Sequence, residues 1–189
     1  MNTMNIMIVG VGGQGTLLAS RILGRVAIKM GHDVKISEVH GMSQRGGSVV
    51  TYVKYGEKVF SPIIDRGEAD IILAFELLEA YRALPYLKIG GKMIANTQHM
   101  DPMPVITGGA DYPQDIEKRL SEQISFEAVD ALSAAAEAGT IKAVNVVLIG
   151  LLAKSTDTPK EIWLETIAET VPQKFLEVNL KAFEIGYNM

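Results

Sequence analysis

Asn5-Ile6-Met7-Ile8-Val9-Gly10-Val11-Gly12-Gly13-Gln14-Gly15-Thr16 is the stretch that decides the fold. Residues 5–9 are a short apolar run ending in glycine, the pattern of a strand buried on both faces. From Thr16 to Met30 the apolar residues recur at helical spacing. Leu17, Leu18, Ile22, Leu23, Val26 and Ala27 make one stripe, and Ser20, Arg21, Arg25 and Lys29 lie off it. Gly31 suits the position just past a helix end. Asp33 to Val39, with Val34 and Ile36, then reads as a second strand. Strand, helix and strand within 40 residues make a βαβ unit, whose crossover is right-handed.

Working outward, Ser48 to Tyr55 is rich in β-branched and aromatic residues. Gly56-Glu57 looks like a turn and Lys58-Val59-Phe60 like a return strand, so a β-hairpin insertion is expected. Asp70–Phe75, Lys92–Asn96 and Ser125–Val129 read as further strands, with helices over about 77–87 and 114–123 between them. Pro102, Pro104, Gly108, Gly109 and Pro113 mark one loop-rich stretch. Beyond Asp130 the pattern is helical throughout, over 130–138, 141–153, 159–170 and 173–186. The expected fold is therefore α/β: a Rossmann-like three-layer sandwich with a mostly parallel sheet and a helical C-terminal portion. No linker divides the chain, so residues 1–189 are read as a single domain.

Composition narrows the function classes. Apolar residues are 48% and charged residues 21% of the chain, which excludes disordered and fibrous classes. The longest apolar run, Ala143 to Ala153, contains Asn145 and is far short of the roughly 20 residues of a membrane span. The first residues lack a basic segment ahead of an apolar one, so no signal peptide is expected, and a soluble, cytoplasmic protein without a membrane partner is the expectation. There is no cysteine, hence no thiolate metal site, catalytic thiol or cysteine-held cluster from this chain alone. A net charge of −4 argues against nucleic-acid binding. The charge is segregated: residues 1–66 carry 8 basic against 4 acidic side chains, which suits an anionic ligand near the N-terminal part.

Gly10-Val11-Gly12-Gly13-Gln14-Gly15 matches G-x-G-x-x-G between a strand and a helix. One glycine permits the tight turn, one lets a pyrophosphate approach, and one lets the helix sit close to the sheet. The loop is not a Walker A loop, since Thr16-Leu17 follows Gly15. A dinucleotide would also want an acid at the end of the second strand, where Glu38 stands. Glu38 opens an unusual loop and no hydride-transfer site is evident, so packing, or another phosphate ligand, fits the loop better than a dinucleotide. The other distinctive stretch is Glu38-Val39-His40-Gly41-Met42-Ser43-Gln44-Arg45-Gly46-Gly47-Ser48. It gathers polar groups on a glycine-bracketed loop at the carboxyl end of a strand, where open α/β sheets bind ligands. Arg45 suits an anion through two parallel hydrogen bonds. No metal site is expected, because His32, His40 and His99 lack a second histidine at ligand spacing.

These residues carry a resemblance. Val9–Thr16 and Ser37–Ser48, continuing through Ala69-Asp70, Phe75-Glu76, Lys142–Leu148 and Asn179–Phe183, resemble the gamma-type subunits of 2-oxoacid:ferredoxin oxidoreductases. Within them, the Glu38–Gly47 string is most similar to the small beta subunit of the indolepyruvate enzymes. The resemblance implies an accessory subunit of a heteromer that decarboxylates an aryl 2-oxo acid, passes electrons to ferredoxin and captures the acyl group on coenzyme A. Thiamine diphosphate and the [4Fe–4S] clusters would sit on a larger partner, and no cofactor would be held by this chain alone. By the same resemblance, Gly10, Gly12, Gly13, Gln14, Gly15, Ser43, Gln44 and Arg45 would help build a coenzyme A cleft. His40, Met42, Gly46, Gly47 and Asn145 would contact ligand or partner. The isolated chain is expected to be inactive and capable of a homodimer through the surface meant for its partner. An NAD(P)-dependent dehydrogenase or a nucleotide-sensing module is the alternative, although no nucleophile–base pair is evident in the sequence.

Overall fold

The computed structural model describes residues 3–38 and 47–189. Six strands form one sheet: β1 (Met4–Val11), β2 (Asp33–Glu38), β3 (Ser48–Gly56), β4 (Ala69–Ala74), β5 (Leu87–Asn96) and β6 (Ser125–Val129). Their spatial order is β2-β3-β1-β4-β5-β6. β1, β4, β5 and β6 run parallel to one another, while β3 is antiparallel to both β1 and β2.

The hairpin is therefore made differently from the sequence expectation. β3 pairs with β2 before it and β1 beyond it, and Lys58-Val59-Phe60 forms no strand. The reason is local. The Val59 N–H donates to Asp33 Oδ2 at 3.0 Å, and the Val59 side chain is buried. That residue satisfies both its donor and its apolar side chain without strand pairing. β1-α1-β2 remains a βαβ unit, with β3 slotted between its two strands.

Helices α1 (Thr16–Lys29), α2 (Leu77–Ala83), α3 (Met103–Ile106), α4 (Ile116–Ser121), α5 (Ala131–Ala138), α6 (Val144–Lys154), α7 (Lys160–Thr170) and α8 (Leu176–Asn188) complete the chain. Side chains alternate across each strand. Ile6, Ile8, Leu73 and Ile94 face a core shared with α1 and the C-terminal helices, whereas Met7, Val9, Ile72 and Met93 face a core shared with α2 and α4. Two cores on two faces of one sheet are the three-layer sandwich.

The C-terminal helices belong to the first of these cores. Helix α6 is apolar all round and buries every residue but its last, as a helix enclosed on all sides must. It crosses α8 so closely that a Cβ on Gly186 would collide with the Val147 backbone. Trp163 of α7 stacks on Phe183 of α8 with ring centroids 6.5 Å apart, both fully buried. Among the described residues no helix is long and apolar enough to cross a membrane.

Candidate functional site

The strand order reverses between β1 and β4. From that junction the chain runs outward to β3 and β2 on one side, and to β5 and β6 on the other. Open α/β sheets bind ligands in the crevice at the carboxyl ends of such a pair. Here the crevice is occupied by the side chain of Gln14. Its Oε1 accepts the Val11 N–H at 2.7 Å, and its Nε2 donates to Phe75 O at 3.0 Å and Gln98 Oε1 at 3.1 Å. A Cβ on Gly10 would lie 2.8 Å from that same Oε1 and 2.9 Å from Phe75 Cβ. Gly10 is glycine because the plug needs the room.

The other loop residues divide between packing and presentation. The Gly12 N–H donates to Gly47 O at 2.9 Å and the Gln14 N–H to Val11 O at 3.2 Å, so both are already paired. Gly15 precedes α1 with a φ of 87°, a conformation that costs glycine little. A Cβ there would meet Asn145 Nδ2 at 2.7 Å, and that amide donates to Gly15 O at 3.3 Å. Asn145 of α6 thus bonds within the chain to the glycine loop. The Gly13 and Gly15 N–H groups have no acceptor among the described residues.

Cavities flank the loop on both sides. One of about 230 Å³ has Gly12, Gly13, Gly15, Thr16, Leu17, Val49 and Thr51 among its walls. Another of about 390 Å³ lies toward α5 and α6, where Gln98, Leu132, Ile141 and Lys142 meet Gly13 and Gln14. Lys142 is exposed there and supplies a positive charge beside the loop.

Glu76 and Asn96 line the same edge and act as structural joints. Glu76, 1% exposed, caps α2 by accepting the Glu79 N–H, and also accepts the Met100 N–H and the Tyr112 hydroxyl at 2.7 Å. Burial, with the bond to Glu76 second, pushes the Tyr112 phenol up from its usual range. Asn96 donates to Phe75 O and accepts from the Ala131 N–H. Glu38 accepts from Ser20 Oγ at 2.7 Å, which ties the end of β2 to α1.

Of the residues singled out in the sequence, Gly10, Gly12, Gly13, Gln14, Gly15, Gly47 and Asn145 come together at this edge. His40, Met42, Ser43, Gln44, Arg45 and Gly46 lie outside the described residues. His32 is exposed beside Tyr55, and His99 pairs with Asp101 at 2.6 Å while stacking on Tyr112. Glu79 was missed. It is 5% exposed, accepts Ser48 Oγ at 2.5 Å and pairs with Arg82 at 2.6 Å, joining α2 to the foot of β3. Its signal was a carboxylate three residues after the helix-capping Glu76.

The family model described as pyruvate ferredoxin/flavodoxin oxidoreductase matches residues 5–189. The chain belongs to that family. Indolepyruvate oxidoreductase subunit IorB of Thermococcus kodakarensis is 45% identical over 98% of this chain and 95% of its own length. Among solved structures, the gamma subunit of keto/oxoacid ferredoxin oxidoreductase from Geobacter sulfurreducens superimposes with a TM-score of 0.73. It is 24% identical and covers 98% of this chain and 96% of its own. The 2-oxoglutarate:ferredoxin oxidoreductase from Magnetococcus marinus matches with a TM-score of 0.76 at 18% identity, over all of this chain but 31% of its own. The same fold thus occurs both as a chain of about this length and as part of a chain about three times as long.

Proposed function

We propose that this chain is the accessory subunit of a thiamine-dependent 2-oxoacid:ferredoxin oxidoreductase that takes indolepyruvate or another aryl pyruvate and forms the acyl-CoA. The observation that carries the reading is 45% identity, along nearly all of both chains, to a protein named as an indolepyruvate oxidoreductase subunit. The longer Magnetococcus enzyme is described with 2-oxoglutarate, coenzyme A and succinyl-CoA bound, which supports a place for this fold in an acyl-CoA-forming enzyme.

The chemistry available here agrees with an accessory role. With no cysteine the chain offers no thiolates to an iron–sulfur cluster, so clusters and thiamine diphosphate are assigned to a larger cytoplasmic partner, which passes electrons to ferredoxin. What this chain supplies is surface. The glycine loop, its flanking cavities and Lys142 form one wall of the coenzyme A cleft. The filled crevice between β1 and β4 speaks against the dehydrogenase alternative, because Gln14 stands where a pyrophosphate would lie. Glu38, the acid that alternative needs for a ribose, is bonded to Ser20.

Affinity capture of the tagged chain from its native lysate tests the reading. A stoichiometric, cysteine-rich, thiamine-binding partner supports it. A chain recovered alone as a monomer, or as a homodimer that binds NAD(H), contradicts it.

A further inference from the structure

Glu79 is a buried carboxylate that the proposed function does not use. It stands in the first turn of α2 and is 5% exposed. Taking a carboxylate out of water is costly, and even a well-paired buried charge adds little net stability over an apolar residue of the same size. Its bonds show what the carboxylate does instead. Oε2 accepts the Ser48 hydroxyl, and Oε1 accepts Arg82 Nη1 at 2.6 Å. Each oxygen has its own donor. The half-exposed Arg82 supplies the counter-charge on one oxygen and leaves the other to Ser48.

Ser48 lies at a junction. β3 begins there, opposite Val11 in the antiparallel pairing with β1. The residue before it, Gly47, accepts the Gly12 N–H at 2.9 Å. A continuous run of contacts therefore leads from Arg82 through Glu79, Ser48 and Gly47 to Gly12 in the glycine loop. Helix α2 packs on β1, β4 and β5. Among the described residues the Ser48–Glu79 bond is the one side-chain hydrogen bond that ties it to β3. The register of β3 does not need that tie, because its pairing with β1 runs from Met4↔Tyr55 to Val11↔Ser48. What the bond adds is a fixed orientation for the peptide that holds Gly12.

We propose that Glu79 is a positioning residue: through Ser48 it holds Gly47, and through the Gly47 carbonyl it holds Gly12 in the orientation the glycine loop needs to meet coenzyme A. The inference rests on the proposed role of that loop as one wall of the coenzyme A cleft. Gln14 holds the loop from the crevice and Asn145 holds it from α6, so Glu79 supplies the hold from the β3 side. Without that hold the loop still folds, but ordering Gly12 is added to the cost of each binding event. The effect therefore falls on coenzyme A binding and leaves turnover alone.

Two readouts test this. The first is amide hydrogen exchange of the full chain, resolved by NMR. Ser48→Ala and Glu79→Met each speed exchange of the Gly12 N–H about three- to ten-fold, the value of one hydrogen bond, while the β4 amides exchange as in the parent. Ser48→Thr retains the parent rate. Glu79→Met, an apolar replacement of similar length, melts within about 4 °C of the parent. The second readout is steady-state kinetics of the chain reconstituted with its thiamine-binding partner. The same two variants raise the KM for coenzyme A about three- to ten-fold and leave kcat and the KM for the 2-oxo acid unchanged. Both break one link, so the double variant is no worse than the more severe single one. Unchanged Gly12 exchange in both variants overturns the proposal, and so does faster exchange that the β4 amides share. Faster local exchange with an unchanged KM for coenzyme A in an active complex overturns it as well. A parent complex that is inactive with coenzyme A refutes the assembly reading instead, and Gly12 exchange on this chain still decides whether Glu79 holds the loop.

Discussion

Asn145 and Gly15 are locked to each other: the Asn145 amide donates to Gly15 O at 3.3 Å and stands 2.7 Å from where a Gly15 side chain would begin. A residue 130 positions away thus fixes the last glycine of the loop. Gly15→Ala must accept both a left-handed φ and a clash with that amide. It is expected to cost about 1–3 kcal/mol. For a chain of this length that is a fall in melting temperature of very roughly 2–12 °C, read by differential scanning calorimetry.

Gln14 is the second lock. Gln14→Ala would leave the Val11 N–H without its acceptor, and the Phe75 carbonyl with Asn96 as its remaining side-chain donor, at the reversal point of the sheet. A loss of about 1–3 kcal/mol is expected in denaturant titration. Gln14→Glu keeps the acceptor for Val11 but cannot donate to Phe75 O, so it should recover only part of that loss. Full recovery by Glu would mean that the bonds from Nε2 do not matter.

Gly186 tests the seat of the C-terminal helices. Gly186→Ala forces α8 away from the Val147 backbone and opens the cluster around Phe183 and Trp163. Overpacking of this kind costs about 1–3 kcal/mol. Unchanged stability would show that the α6–α8 crossing relaxes freely.

Asp33 gives a pH signature. Its carboxyl accepts the Val59 N–H and faces Lys35 at 3.0 Å, which lowers it from the ordinary 3.8 to about 2, the backbone bond being the larger cause. A depressed folded-state value contributes stability that is present above pH 3.8 and is lost as the pH falls toward 2. Asp33→Asn should therefore flatten the acid limb of stability in that window and leave other pH ranges parallel to the parent. NMR titration of the Asp33 carboxyl checks the value directly.

Most of the sandwich was legible in the sequence because β1, α1, β4 and β5 carry strong periodic signals. The position of β3 was not. Its β-branched residues announce a strand, but its partners are chosen by tertiary packing: Val49, Thr51 and Val53 need the α1 face, and Val59 has Asp33 in place of a strand. At the site, the glycine pattern located the loop and left its use open. That Gly10 makes room for Gln14, and Gly15 for Asn145, depends on contacts 61 and 130 residues apart in the chain, which no local pattern records.

Reconstitution tests the central claim most directly. The thiamine-binding partner is assayed for ferredoxin reduction with indolepyruvate and coenzyme A, with and without this chain. The account predicts aryl-2-oxo-acid-dependent reduction and acyl-CoA formation only when both are present, with this chain alone inactive. Full activity of the partner without this chain, or no association between the two, would contradict it.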